Sequence, residues 1–350
     1  MNSNSAQTEK TGFFFIIGNG RSGTTLLRTL FDAHPQVNIP LECQLIINLS
    51  KKFAKVKFWD AALINDFITE IYKQRRFSEW KISKNTLKEN LAICIGANSF
   101  STIIKAVYLS YSSNFNKNEI KLIGDKTIIN ALYIKQLIML FPDAKFIHIT
   151  RDYRDRNLSL TGKKLTSSSI ALKTMQWKYT QQKILKVITN FPDRIYTIRY
   201  EDFVNEPRMH FEKICKFLKI NYYSSVFEYY LDEKIPEKIY KKEFIDSWQN
   251  NLFKPINTNR SGIWKTEMSE YQIEISDYIA GEIAEIYGYE RVYKKSNLKI
   301  KLAIFPYSVL HNLVIYRRNI VDKLPFRLRN YFMGRSLLLL LYDKAFGIKR

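Results

Sequence analysis

A chain of 350 residues carrying 55 Lys and Arg against 33 Asp and Glu has a formal charge of +22, and a field of that size gathers polyanions. The sequence shows no zinc-finger spacing, basic-aromatic RNA signature or heptad-linked basic region, which argues against nucleic acid as the partner. Cys43, Cys94 and Cys215 are odd in number and far apart, and the four His lack ligand spacing, so neither a disulfide framework nor a metal site is expected.

Met1 to Thr11 is polar and lacks the apolar core of a signal peptide, so a cytoplasmic location is expected. The apolar run Phe13 to Ile17 then predicts a strand, which enters a loop rich in glycine and opens an amphipathic helix. Gly18, Gly20 and Gly23 permit a tight turn in which several backbone N–H groups converge on one anion at the positive end of that helix. In the nucleoside-triphosphate version of this loop a lysine follows the last glycine, whereas here Gly23 is followed by Thr24 and Thr25. The loop therefore suits a single 5′-phosphoryl group bearing one further anionic group, with Arg21 supplying charge. The missing lysine also disfavours the rival reading of a P-loop kinase.

At Arg21-Ser22-Gly23-Thr24-Thr25-Leu26 the chain resembles the sulfotransferase superfamily. The donor there is 3′-phosphoadenosine-5′-phosphosulfate (PAPS), and its loop reads Lys/Arg-Ser-Gly-Thr-Thr-Leu/Trp. The resemblance covers most of residues 12 to 290 and is strongest in detail to protein-tyrosine sulfotransferases and related bacterial enzymes. It implies an α/β fold with a P-loop-like parallel β-sheet flanked by helices, and PAPS as co-substrate without a metal. It also implies donor contacts from Gly20, Arg21, Ser22, Gly23, Thr24 and Thr25. In that branch a glutamate acting as general base lies twenty-one residues beyond the loop arginine, after a segment resembling Asp-Ala-His-Pro-x-Val. Asp32-Ala33-His34-Pro35-Gln36-Val37 leads to Glu42 at that spacing. Pro40 and Leu41 depart from the small residue and second glutamate usual before the base. A carboxylate capping the next helix is the plainer alternative for Glu42.

Residues 43 to 118 read as mostly helical, and acceptor specificity is expected there. A strand is predicted at Glu119 to Ile123, followed by Lys126 and a helix from Ile128 to Phe141. Relatives use this lysine near the bridging oxygen, where an ammonium stabilises charge as the sulfate-phosphate bond breaks. The next apolar strand, Lys145 to Thr150, feeds into Arg151. Sulfotransferases hold the 3′-phosphate with an Arg at such a strand end and a Ser eight residues on, and Arg151 and Ser159 have that spacing. Asp152, Arg154, Asp155 and Arg156 read as a solvated run of mixed charge.

A fourth strand is predicted at Arg194 to Arg199. It resembles the family strand ending in Tyr-Glu, which puts Tyr200 near the adenine; a buried tyrosine at a sheet end is the alternative. Pro207 suits the first turn of a helix burying Phe211, Ile214, Phe217 and Leu218. Asn259 to Lys265 resembles the late loop over the 3′-phosphate and makes Arg260 and Ser261 candidates. Ser269 and Gln272 form a capping-box pattern before a helix running toward Tyr287.

Residues 291 to 350 form a basic, partly apolar extension, expected to be helical, with fourteen Lys and Arg against two Asp. Pro306, Arg335 and Asp343 interrupt its apolar runs, including Leu337 to Tyr342, so no bilayer-spanning stretch is expected. An anionic membrane surface, packing on the catalytic domain, or a subunit contact within a homo-oligomer all remain open for it.

The resemblance implies sulfuryl transfer from PAPS to an acceptor hydroxyl, with Glu42, Lys126 and Arg21 catalytic. A carbohydrate or lipid-linked acceptor, such as a glycan or glycolipid, is the expectation from charge. A peptide tyrosine is the alternative, and a non-catalytic anion- or membrane-binding protein is the alternative of another class.

Overall fold

The computed structural model describes Thr8 and residues 10–161, 169–231, 254–295 and 297–334. The apolar run after Gly12 forms β1 (Gly12–Ile17), and Phe14 to Ile17 are all buried, as a strand covered on both faces must be. α1 (Thr24–Ala33) follows the glycine loop and lays Leu27, Leu30 and Phe31 against the sheet, with the Phe31 and Phe14 rings 4.7 Å apart. The chain continues through β2 (Val37–Asn38), α2 (Leu45–Phe53), β3 (Phe58–Trp59), α3 (Ala61–Tyr72), α4 (Lys84–Ala92), β4 (Gly96–Ala97) and α5 (Phe100–Leu109). Residues 43–118 are thus largely helical, with only the short antiparallel pair β3–β4 between the helices.

β5 (Leu122–Asp125) starts three residues later than the predicted strand, and the N–H groups of Lys121 and Leu122 share the Gln36 carbonyl where the strand begins. The helix expected from Ile128 to Phe141 is divided: a 3₁₀ turn covers Ile128–Leu132, and α6 (Ile134–Leu140) starts after Tyr133, whose φ of −121° is not helical. β6 (Lys145–Thr150), α7 (Tyr153–Leu160), α8 (Ile170–Ile188) and β7 (Ile195–Arg199) follow. Arg194 lies in a turn before β7, where its guanidinium satisfies the carbonyls of Phe141 and Ala144. α9 (Tyr200–Asn205) and α10 (Pro207–Leu218) come next, with proline at the first turn of α10 and Phe211, Ile214 and Leu218 buried as expected; Phe217 is only partly buried.

The five-stranded parallel sheet has the order β2-β5-β1-β6-β7. Phe14 lies opposite Gly124 on one side and Lys145 on the other, and Asn38 pairs with Ile123. Its core joins Phe14, Ile16, Leu27, Phe31, Ile147, Ile149, Phe203 and Phe211.

The chain separates into two compact units, Met1–Ile149 with Val187–Thr258, and Thr150–Lys186 with Asn259–Arg350. The second contains α11 (Trp264–Glu267), α12 (Glu270–Ala280), α13 (Glu282–Ile286), α14 (Leu298–Val321) and α15 (Phe326–Gly334). α12 has the capping box of Ser269 and Gln272, but Gly281 ends it before α13 carries the chain to Tyr287. Tyr153, Trp177, Ala280, Ala284, Tyr287 and Tyr289 form one core cluster of this unit. A second joins Ala171, Leu172, Met175 and Ile279 to Ile300 and Ile304 of α14.

Pro306 lies inside α14 and the apolar run continues through it, which corrects the expectation that the extension has no stretch of spanning length. The proline is exposed, so the carbonyl left without its N–H partner can be hydrated. At 24 residues α14 is long and apolar enough to meet the length and composition of a membrane span, although Ile300, Ile304 and Val321 are buried. The run Leu337 to Tyr342, with Arg335 and Asp343, lies outside the described residues.

Candidate active site

Each candidate side chain of the first unit follows the carboxyl end of a parallel strand or opens the helix beyond it, the edge where ligands of open α/β sheets bind. After β1, Gly18 has φ 152°, and an added Cβ would collide with the Ile149 carbonyl oxygen. Gly23 is the N-cap of α1 at φ 90°, and a Cβ there would stand 2.6 Å from Cδ2 of Tyr200. The tyrosine ring therefore lies directly over the last glycine of the loop. Arg21 also occupies the left-handed region, at φ 70°, a strained choice for a residue with a Cβ and one that recurs in ligand-binding loops.

α1 has no acidic residue in its first turn and no side chain capping its N–H groups, so its positive end is left for an anion. Ser22 is fully buried, and among the described residues its hydroxyl has no hydrogen-bond partner. A buried hydroxyl without a partner costs free energy, and an anion in the loop would supply the acceptor it lacks. Ser22, the open helix end and the glycine cradle together fit a phosphoryl group.

Beyond β2, Glu42 receives Nζ of Lys126 at 2.9 Å on one carboxylate oxygen and the Ile128 N–H at 3.3 Å on the other. The next helix, α2, has Gln44 at its N-cap, so Glu42 is not a helix cap. Burial opposes the charge on Glu42, but Lys126, Arg76 and the Ile128 N–H outweigh it and hold the carboxyl below its usual range. Glu42 keeps 19% of its side chain accessible, and Lys126 is buried.

Lys126 follows Asp125, the last residue of β5, which is buried and takes hydrogen bonds from Tyr108, Thr127 at 3.2 Å and Asn130 at 2.5 Å. Burial, only partly offset by these bonds, pushes the Asp125 carboxyl up to about 6. Neighbouring Cys43 is a packed thiol, driven up to about 12 by burial and then by the Asp125 charge.

The Asp-Ala-His-Pro segment anchors the approach to Glu42. Asp32 is buried in an ion pair with Arg28 at 2.8 Å, and Arg28 also donates to the Ile39 carbonyl. His34 accepts the Gln36 N–H on Nδ1 and faces the Asn221 carbonyl through Nε2, which fixes it as the neutral Nε2–H tautomer. Burial lowers His34 to about 4.

In the second unit, Arg151 directly follows β6 and is buried, its carbonyl held by the Trp177 indole at 3.0 Å and its guanidinium donating to the Arg260 carbonyl. Ser159, half-buried, lies two turns along α7. Arg260 meets Arg151 through its backbone, and its side chain is exposed; Ser261 is half-buried.

The charges after Arg151 are not a solvated run. Asp152, Arg154, Asp155 and Arg156 are all buried. Arg154 pairs with Asp152 at 2.8 Å and Asp277 at 3.4 Å and stacks on Trp264. Asp155 accepts the N–H groups of Gly262 at 2.6 Å and Trp264 at 2.9 Å, so it holds the loop that bears Arg260 and Ser261. Arg156 is lowered by burial and then by the Arg151 charge; Lys173, buried beside Arg156, is lowered to about 8 by burial and then by that guanidinium. Arg156 thus lies between two buried cations, Arg151 and Lys173, and a phosphate dianion bound there would relieve the repulsion. Arg156 and Lys173 were not legible as site residues, since no motif places Lys173 beside the other two.

The profile of the Sulfotransferase family matches residues 14–224 of this chain. The chain belongs to that family. As a sulfotransferase it has Arg21, Glu42, Lys126, Arg151, Ser159 and Tyr200 inside the matched stretch, and Arg260, Ser261 and α14 beyond it. Protein-tyrosine sulfotransferase A of Caenorhabditis elegans is 23% identical over 292 residues, covering 79% of the chain and 67% of the relative. The protein-tyrosine sulfotransferase of Drosophila melanogaster is 24% identical over 257 residues, which is 71% of the chain but only 46% of that relative. Among solved structures, the sulfotransferase domain from the curacin biosynthetic pathway superposes with a TM-score of 0.53 at 20% identity, over 80% of the chain and 98% of the domain. That of the Synechococcus PCC 7002 olefin synthase gives 0.52 at 18% identity, over 80% and 96%. Both share the fold of this sulfotransferase.

Proposed function

We propose that the protein transfers a sulfuryl group from PAPS to an acceptor hydroxyl, on a carbohydrate or lipid-linked molecule. The observation that carries this reading is the pairing of Glu42 with Lys126 in a family member whose glycine loop holds the buried hydroxyl of Ser22, which has no partner among the described residues. PAPS, when bound, supplies the sulfuryl group and leaves as adenosine 3′,5′-bisphosphate.

The loop amides of Gly20, Ser22, Gly23, Thr24 and Thr25, with Arg21, take the 5′-phosphosulfate, and Tyr200 lies beside the adenine. Arg151, Ser159, Arg156 and Lys173 take the 3′-phosphate, and Asp155 holds the loop of Arg260 and Ser261 in place. Glu42, kept ionised by its neighbours, accepts the proton of the acceptor hydroxyl as that oxygen bonds to sulfur and the sulfur-oxygen bond to phosphate breaks. Lys126 neutralises the departing phosphate oxygen, and as it turns from Glu42 the carboxylate becomes the stronger base.

A carbohydrate or lipid acceptor is favoured by the +22 charge, which draws anionic glycans and surfaces. A peptide tyrosine is the second reading, favoured because the curated relatives are protein-tyrosine sulfotransferases. Transfer of labelled sulfate from PAPS to a panel of glycans, glycolipids and tyrosine peptides tests the acceptor. Glu42→Gln tests the base: a loss of about 10²- to 10⁴-fold in turnover is expected, with adenosine 3′,5′-bisphosphate still bound. Equal turnover by the two forms removes Glu42 from the chemistry, and tighter calorimetric binding of ATP than of the bisphosphate removes the donor assignment.

A further inference from the structure

α14 buries one face and leaves the opposite one bare. Ile300, Ile304, Tyr307 and Val314 pack on the cluster built from α8 and α12. Leu298, Leu302, Phe305, Val309, Leu313, Tyr316 and Ile320, each 43–71% exposed, recur every three or four residues on the other side. At 3.6 residues per turn these seven fall within an arc of about 80° over a helix roughly 36 Å long. A continuous apolar stripe of that length on a free surface marks an interaction site.

The cations fix the occupant. Lys299 and Lys301 are exposed and, by helical position, fall on the two sides of the stripe; Arg317, half-buried, lies at its far end on the same side as Lys299. Lys295, Lys323 and Arg327 add exposed positive charge just outside the helix, whereas Lys294 pairs with Glu285 at 3.8 Å. Neither α14 nor α15 contains an acidic residue, and Asp322, at the C-cap of α14, pairs with Arg329 at 3.2 Å.

We infer that α14 lies in the plane of an anionic membrane surface, its apolar stripe among the acyl chains and its lysines on the lipid phosphates. A second copy is disfavoured, because stripe-to-stripe pairing in either direction sets cation against cation. Spanning is disfavoured too, since Ile300 and Ile304 would have to leave the core they already fill.

The test uses the full chain, floated with vesicles of phosphatidylcholine alone or with a minority of phosphatidylglycerol. Wild type is expected to bind the anionic vesicles more than about tenfold better than neutral ones, and to lose that preference in high salt. Leu302→Glu/Phe305→Glu/Leu313→Glu, confined to exposed positions, is expected to abolish flotation while leaving circular dichroism and bisphosphate binding unchanged. Should that variant fail to fold, Lys299→Glu/Lys301→Glu is the deciding form and is expected to weaken binding more than about tenfold. Flotation equal to wild type in either variant overturns the inference. So does retention of the bound chain after alkaline carbonate extraction, which indicates spanning. A dimer that the triple variant dissolves, with no flotation by wild type, assigns the stripe to a second copy and overturns it as well.

Discussion

Replacing Gly23 by alanine probes the phosphate loop at its tightest point. The new methyl group would stand 2.6 Å from Cδ2 of Tyr200, 3.2 Å from Cε2 and 3.0 Å from Cδ1 of Ile149, where carbon atoms prefer about 3.5–4.0 Å. Two costs arise. Holding an alanine at φ 90° costs about 1–2 kcal/mol, and forcing an extra carbon into a packed site costs about 1–3 kcal/mol. Together they amount to about 2–5 kcal/mol, a fall in Tm of roughly 4–10 °C at about 2 °C per kcal/mol for a chain this long. The assay is a thermal melt of Gly23→Ala, Tyr200→Ala and the double variant. Removing the ring relieves the collision but not the backbone strain, so the two changes should couple by about 1–3 kcal/mol. Strictly additive costs, or a Gly23→Ala melt within a degree of wild type, would refute the placement of the ring over the glycine.

Lys126→Ala leaves burial as the dominant influence on Glu42; its pKa rises, and the acid limb of the pH-activity profile should move to higher pH, read from initial rates across pH. Lys173, at about 8 in the free chain, should rise when phosphate arrives, so bisphosphate binding near pH 8 should take up about half a proton. Calorimetry in buffers of different ionisation enthalpy measures that uptake, and Lys173→Met should abolish it. His34 is fully buried, with a pKa lowered from 6.5 to about 4. Its stabilisation is therefore complete above pH 6.5 and is lost as pH falls toward 4, up to about 3 kcal/mol. Melts across that window should fall less steeply for His34→Gln than for wild type.

Apolar runs and glycines were legible because their meaning is local. β1 and β6 were read from continuous hydrophobic strands, and the loop between β1 and α1 from glycines that only a tight turn explains. The family resemblance led to Glu42 and Lys126, and the structure pairs them. Charged residues were misread where their partners are remote. Arg154 looks solvated in sequence, yet one of its carboxylates, Asp277, lies 123 positions away. Asp155 reads as surface acid until the Gly262 and Trp264 amides are found on it. Pro306 misled for another reason: a missing N–H on an exposed helix face can be replaced by water, and the sequence does not say which face is exposed.

Asn38 and Ile123 are neighbours in the sheet, so the long excursion between β2 and β5 leaves and rejoins the scaffold at strands about 4.8 Å apart. Nothing in the strand order requires that excursion to have a particular length or content. Its two ends are tied to the site, since Glu42 near its start reaches Lys126 and Tyr108 of α5 donates to Asp125; the helices between those contacts can vary while the glycine loop and the Lys126 turn stay on the strands that anchor them.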